Sequence, residues 1–205
     1  MSEGRTYGQG YTDYQTNRGA LRRWVRGFYL RSAVAQLKGP TIDFGCGIGE
    51  LLARLPQGST GLEINPATVR HCRARGLDVV HYDADNDGWT LSPLVAAGRS
   101  YQSMVISHVL EHLDNPMDKF NALLKAARSL GVDRVLAIVP GRAGFASDNT
   151  HLTFVDAGML SSDAPVRGTG FVLARQRYFP GNWRAIGDRF THHELQATFQ
   201  RLETS

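Results

Sequence analysis

The sequence predicts an α/β protein built on a doubly wound, mostly parallel sheet, and three observations carry that prediction. Short β-rich runs alternate with helix-like segments from residue 41 to residue 139. The first run, Thr41–Phe44, leads into glycines spaced two apart, Gly45, Gly47 and Gly49. Two later helix-like segments open on Asn-Pro and close on glycine, so each has a defined start and stop.

Taken in order, residues 1–17 are polar with Tyr7, Tyr11 and Tyr14 spaced along them, which reads equally as disorder or as a substrate-covering lid. Leu21 to Leu37 reads as an amphipathic helix, with Leu21, Val25, Phe28, Leu30, Val34 and Leu37 available to pack against the sheet. The β-rich runs are Thr41–Phe44, Thr60–Ile64, Asp78–Tyr82, Ser103–Ser107 and Arg134–Val139. Asn65 caps and Pro66 starts the helix after the second run, Val69 and Cys72 face the sheet, and Gly76 ends it. Asn115 and Pro116 repeat that start after the fourth run. Phe120, Leu123, Leu124, Ala127 and Leu130 then form an apolar stripe that stops at Gly131. Residues 140–169 read as loop, followed by strands at Phe171–Phe179 and Glu194–Leu202 around a short segment containing Trp183. One domain over residues 1–205 is expected: an N-terminal lid and helix (1–38), a ligand-binding core (40–140) and a substrate-side region with the last strands (141–205).

Hydrophobic residues make up 42% of the chain, and no apolar run approaches the ~20 residues that span a bilayer. No membrane insertion is expected. The first residues lack a basic region followed by an apolar core, so a cytoplasmic location is expected. Cys46 and Cys72 are the only cysteines, and Cys46 lies within the glycine turn, which argues against a disulfide framework. Of 23 basic residues all but Lys38, Lys119 and Lys125 are arginines. Arginine suits planar anions, but a net charge of +4 is that of an ordinary solvated surface, so nucleic acid is not the expected partner.

The glycine turn points to a nucleotide-like ligand, because glycine tolerates positive φ and lets the backbone approach a ligand closely. Ile42-Asp43-Phe44-Gly45-Cys46-Gly47-Ile48-Gly49 resembles the first motif of the class I S-adenosylmethionine-dependent methyltransferases, of the small-molecule type, and the resemblance runs through roughly residues 40–155. It implies a Rossmann-like, seven-stranded sheet with helices on both faces and an antiparallel last strand. It also implies S-adenosyl-L-methionine as cofactor and S-adenosyl-L-homocysteine as product. Carried onto this chain, the implied cofactor contacts are Asp43 near the methionine amino group, Gly45, Cys46, Gly47 and Gly49 in the turn, and Glu63 with Ile64 at the ribose. Asp83 and Ala84 would lie at the adenine, with Asp85 and Asp87 as competing candidates, and Ser107 ends the fourth run beside the cofactor.

Ser107-His108-Val109-Leu110-Glu111-His112 resembles the leucine-glutamate-histidine segment that lies beside the transferable methyl group in many small-molecule methyltransferases. His-x-x-Glu-His is also a zinc-protease pattern, but that motif belongs on a longer helix, and here it follows a strand of a dinucleotide-type sheet. A hydride-transferring dehydrogenase fits the Glu-His segment poorly. His108, Glu111 and His112 would share a face if helical, and His151 follows the fifth run, so these four are the candidate metal ligands. Small-RNA 2′-O-methyltransferases and catechol O-methyltransferases of ubiquinone synthesis look similar, with Glu-x-x-Glu-His; His108 in place of the first Glu makes magnesium a poor fit, and no metal is expected.

Methyl transfer from a sulfonium is an in-line displacement, so positioning and exclusion of water are the main tasks. An alcohol or phenol acceptor must lose a proton, for which histidine is a suitable base; the candidates are His112, His151 and, third, His108. The expected acceptor is the oxygen of a small molecule, lipid or sugar, entering over the carboxyl ends of the strands, with Arg142 placed to hold an anionic group. An RNA 2′-O-methyltransferase and a non-catalytic cofactor-binding scaffold are the alternatives.

Overall fold

A computed structural model of the chain describes residues 20–183 and 190–202, with side chains from residue 26. Tyr7, Tyr11 and Tyr14, and the side chains of Leu21 and Val25, lie outside the described residues. The elements are α1 (Ala20–Val34), β1 (Thr41–Phe44), a 3-10 turn at Leu52–Arg54, β2 (Thr60–Glu63), α2 (Pro66–Ala74) and β3 (Val79–His81). Two short helices, α3 (Ala84–Asp87) and α4 (Ser92–Ala96), lead to β4 (Ser103–Ser107) and a second 3-10 turn at Leu110–His112. After these come α5 (Pro116–Ser129), β5 (Arg134–Pro140), α6 (Arg142–Ala146), α7 (Ala157–Ser161), β6 (Phe171–Phe179) and β7 (Glu194–Arg201).

The seven strands form one sheet in the order β3-β2-β1-β4-β5-β7-β6. The first five pair in parallel, and β7 runs antiparallel between β5 and β6. The expected class, a doubly wound and mostly parallel sheet with an antiparallel last strand, is the one found. Chain order reverses between β1 and β4, so the loops that leave these two strands diverge and open a crevice at their carboxyl ends.

Strand periodicity assigns the two faces. Met104 and Ile106 of β4 and Val135, Ala137 and Val139 of β5 join the large core with Phe120, Leu123 and Leu124 of α5. The alternate residues Val105, Leu136 and Ile138 pack with Ala33, Leu30, Val34 and Leu37 at the other face. Helices therefore cover both faces, as burial of the central strands requires. Phe28 departs from the expected packing: it is 49% exposed, its ring 4.9 Å from Phe179.

Local signals explain the two clean helices. Asn65 Oδ1 accepts from Ala67 N–H at 2.9 Å and Thr68 N–H at 3.4 Å, and Pro66 supplies a preset φ at the first position. Gly76 takes φ +76°, and the Leu77 N–H reaches back to the Cys72 carbonyl at 3.1 Å, closing the helix end. At Asn115 the expected cap does not form. Its backbone is left-handed, with φ +46° and ψ +50°, and its side chain makes no capping bond; the carbonyl alone meets the Asp118 and Lys119 amides. The stretch expected to be loop, 140–169, contains α6 and α7. Each is only five residues long, too short for a sequence periodicity to register.

Phe120 is fully buried with its ring 5.0 Å from Phe199 of β7, so this contact joins α5 to the antiparallel strand. Phe120→Ala is expected to cost about 3–5 kcal/mol in urea unfolding. Asn65→Ala, which removes a cap and no core volume, is expected to cost about 1 kcal/mol.

Candidate active site

β1 ends at Phe44 and the chain turns at once. Gly45, Gly47 and Gly49 adopt φ of +71°, +53° and +74°, a region that strains other residues. Space is short as well: a side-chain carbon on Gly45 would come 2.5 Å from Val109 Cγ2, and one on Gly49 would come 2.4 Å from Leu77 Cδ1. The turn is anchored to β2. Gly45 and Cys46 N–H donate to the Leu62 carbonyl at 2.9 and 3.0 Å. Gly47 N–H donates to Glu63 Oε2 at 2.9 Å, and the other oxygen of Glu63 accepts from Asn65 N–H at 2.8 Å.

Two buried carboxylates meet at this turn. Asp43 is 2% exposed, and its Oδ2 has no hydrogen-bond partner among the described residues. Burial, reinforced by the nearby charge of Glu63, pushes its pKa up to about 7 against the opposing Leu52 N–H and Arg26. Burial also raises Glu63, with the Asn65 and Gly47 amides acting the other way. A pair of desolvated, mutually repelling carboxylates beside a positive-φ turn has the electrostatics of a site for a cationic, hydroxyl-bearing ligand. The residues present therefore fit the implied cofactor: an ammonium would satisfy Asp43, and vicinal hydroxyls could donate to Glu63, whose oxygens each keep a free lone pair.

The remaining predicted cofactor residues lie at the same carboxyl edge. Ile64 follows Glu63 with its side chain 39% exposed, and its carbonyl accepts from His81 Nε2 at 2.9 Å. Asp83 precedes Ala84 and caps α3, accepting from Asn86 N–H at 3.1 Å and Asn86 Nδ2 at 2.7 Å. Asp85 and Asp87 have other work. Asp85 accepts from Trp89 Nε1 at 3.1 Å. Asp87 accepts from Tyr82, Thr90 and Ser92, and despite some burial these bonds hold it well below the usual carboxylate range. Ser107 ends β4, half-buried, opposite Ile138. Cys46 and Cys72 are both buried free thiols.

Histidines and a glutamate form a second group on the segment after β4. His108 is not on a common helical face with Glu111 and His112, because its φ of +55° turns the chain before the 3-10 turn begins. Its ring, 43% exposed, stands between two carboxylates: Nδ1 is 3.1 Å from Glu111 Oε1 and Nε2 is 3.3 Å from Glu194 Oε2. Loss of water around the ring opposes its charge, but the two carboxylates outweigh this and raise its pKa to about 10. It is a cation at neutral pH. Glu111 is fully buried, and its Oε2 has no partner among the described residues.

His112 and His151 come together, with ring centroids 4.8 Å apart and an interplanar angle of 66°. Donor atoms of Glu111, His112 and His151 all lie within 4.8 Å of one another; His108 stays outside this group. The meeting depends on the loop after β5. Leu152 and Thr153 N–H donate to the Glu111 carbonyl at 2.7 and 3.1 Å, and Thr153 Oγ1 donates to the Leu113 carbonyl at 2.8 Å. Arg142 is exposed, its guanidinium 4.9 Å from the centre of the Phe154 ring.

Glu194 is the site residue that sequence reasoning missed. Its signal lay in the strand direction: an antiparallel last strand begins where its parallel neighbours end, and Glu194 pairs with Pro140 at the end of β5. Its Oε1 accepts from Gln196 Nε2 at 2.7 Å, and Gln196 Oε1 accepts from Arg177 Nε at 3.0 Å and Gln36 Nε2 at 2.8 Å. Val109, which packs on Gly45, was likewise not singled out.

The family described as "Methionine biosynthesis protein MetW" matches residues 33–134. A SAM-dependent methyltransferase from Archaeoglobus fulgidus superposes with a TM-score of 0.68 at 19% identity, over 95% of this chain and 100% of that one. Magnesium protoporphyrin IX methyltransferase from Synechocystis PCC 6803, with bound SAH, superposes at 0.64 and 14% identity, over 96% of each chain. The N-methyltransferase NodS from Bradyrhizobium japonicum WM9, in complex with S-adenosyl-L-homocysteine, superposes at 0.61 and 13% identity, over 93% of this chain and 92% of its own. No curated protein matches the sequence. At these identities the likeness is one of fold.

The pKa shifts give the ligand-free protein a pH signature. An unfolded Asp43 loses its proton near pH 3.8 and the folded one near 7, so in that window unfolding releases a proton and rising pH favours the unfolded chain. At about 1.4 kcal/mol per unit the full effect is about 4 kcal/mol. His108, raised from 6.5 to about 10, contributes stability that is fully present below its unfolded pKa and is lost as pH rises through the folded one. Urea midpoints should fall from pH 4.5 to pH 10. Asp43→Asn is expected to flatten the limb below pH 7 and leave the limb above it.

Proposed function

We propose that this chain, whose fold is that of the class I S-adenosylmethionine-dependent methyltransferases, is itself a methyltransferase acting on an oxygen of a small molecule, lipid or sugar. The observation that carries the reading is the buried Asp43 carboxylate, with an unpartnered oxygen, beside Glu63 and the positive-φ turn. Bound S-adenosyl-L-methionine supplies an electrophilic methyl group. Asp43 would take the ammonium of its amino-acid portion and Glu63 the ribose hydroxyls. Gly45, Cys46, Gly47 and Gly49 would line its approach. Asp83 and Ala84 would meet the adenine, with Ile64 alongside, and Ser107 would border the methyl-transfer position.

His112 is the base in this reading, with His151 beside it. The Thr150 carbonyl, 3.2 Å from His112 Nδ1, can only accept, and the Thr150 hydroxyl at the same distance gives its hydrogen to Asp148, so Nδ1 carries the hydrogen and Nε2 keeps a lone pair for the acceptor's proton. His151 is set the same way, its Nδ1 donating to the Phe145 carbonyl at 2.8 Å. His108, already a cation between Glu111 and Glu194, orients those carboxylates and is the weakest of the three candidates. Shielding the reacting atoms from water would fall to the 150–153 loop, which is tied to the segment after β4 through the Glu111 carbonyl.

Many arginines are engaged in structural bonds, which favours a small acceptor over RNA. Arg73 Nε donates to the Val79 carbonyl, Arg75 to the Ile48 carbonyl and Arg134 to the Gln36 carbonyl, while Arg167 pairs with Asp163. Among the described residues no helix is long and apolar enough to cross a membrane.

Calorimetric titration with S-adenosyl-L-methionine, with NAD as control, tests the reading. Saturable binding of the sulfonium alone is expected. NAD binding in its place, or no binding by folded protein, would overturn it. Gly47→Ala, at φ +53° and on the Glu63 hydrogen bond, and Asp43→Ala are expected to lose cofactor binding. His112→Ala is expected to bind cofactor within a few-fold and to slow transfer by roughly a hundredfold or more; normal turnover would remove it as the base.

A further inference from the structure

We infer that Glu111, His112 and His151 form a binding site for a divalent transition-metal ion of borderline softness, such as zinc, manganese or iron(II). The inference rests on the same crevice as the methyl-transfer reading and deepens it. In the metal-free protein the two imidazole lone pairs face the acceptor's proton; with a metal present they are its nitrogen donors.

Four observations converge. One carboxylate oxygen and two ring nitrogens lie within 4.8 Å of one another. A four-coordinate ion with bonds of about 2.0–2.1 Å holds its donors roughly 3.3 Å apart, so small side-chain torsions close the set. Glu111 is fully buried, and its Oε2 has no partner among the described residues, so it stands desolvated with its acceptor capacity unused. Its other oxygen accepts from His108 Nδ1 at 3.1 Å, so Oε2 is the oxygen left without a partner among the described residues. Both histidines have Nδ1 on backbone carbonyls, Thr150 at 3.2 Å and Phe145 at 2.8 Å. Metal-ligating histidines almost always have such an outer partner, which fixes the ring and directs Nε2 at the ion.

The donor set also selects the ion. Calcium and magnesium prefer all-oxygen shells, whereas two imidazoles and one carboxylate suit zinc, manganese, iron(II) and cobalt. With three protein ligands, a position remains open for solvent or an acceptor oxygen. The segment abuts the cofactor turn, since Val109 lies where a side chain on Gly45 would go. An ion here would stand next to the proposed cofactor crevice, suited to polarising an acceptor hydroxyl.

Cobalt(II) titration of the chelator-treated full chain, without cofactor or acceptor, tests the site. One equivalent should give visible d–d absorption stronger than that of the aqua ion, and zinc should displace it. Glu111→Gln and His112→Ala are each expected to weaken cobalt binding by at least tenfold, while His192→Ala, on an exposed residue outside the group, leaves it unchanged. Thermal unfolding of each variant establishes that it is folded; His112 is only half-buried, so its truncation spares the core. No binding, or a band that survives in folded Glu111→Gln and His112→Ala alike, would overturn the inference. S-adenosyl-L-methionine titration of the same samples separates the two readings: cofactor binding without cobalt binding refutes the metal site alone, and the reverse refutes only the methyl-transfer reading.

Discussion

The buried Glu63 carboxylate, accepting from Gly47 N–H at 2.9 Å and Asn65 N–H at 2.8 Å, ties together three pieces of chain. It ends β2, holds the middle of the turn that follows β1, and fixes the residue that caps α2. A carboxylate at 8% exposure is costly to desolvate, and two backbone donors offset that cost by satisfying one lone pair on each oxygen. The turn it holds must reverse within a few residues, which is why glycines stand at φ of +71°, +53° and +74°. The same carboxylate adds its charge to the environment of Asp43 and helps raise its pKa to about 7. Burial is the main cause of that shift, and Glu63 links it to the geometry of the turn.

Around that anchor the sheet topology gathers the chemistry. Parallel strands deliver their following loops to one edge, and the reversal of order between β1 and β4 leaves a gap there. Into the gap come the glycine turn after β1, His108 to His112 after β4, and the 150–153 loop after β5, which is fastened through the Glu111 carbonyl. The antiparallel β7 brings the start of a strand to an edge otherwise made of strand ends, and so supplies Glu194. His108, whose φ of +55° carries a backbone cost of roughly 1–3 kcal/mol, is held by the pair of carboxylates this creates.

Much of the fold was legible because the sequence states it locally. Alternating strands and helices, the cap at Asn65 and the stops at Gly76 and Gly131 each rest on a conformational preference of one or two residues. The failures were of other kinds. Asn115 has the residue type of a cap but takes a left-handed backbone, a choice made by the path of the chain after the 3-10 turn. α6 and α7 are too short to show a period, and Phe28 fits an apolar helix face yet lies on Phe179 at the rim.

By itself the sequence determined the class of the sheet, the position of the glycine turn and the acidic residues at the ends of β1, β2 and β3, because each depends on local preferences and a simple alternation of elements. Only the tertiary structure decided which side chains meet. Glu194 stands 86 residues from His108, and His151 lies 39 positions beyond His112. Such pairs are fixed by strand register and loop closure, which no local preference specifies, and so are the burial that raises Asp43 and the unpartnered oxygen of Glu111.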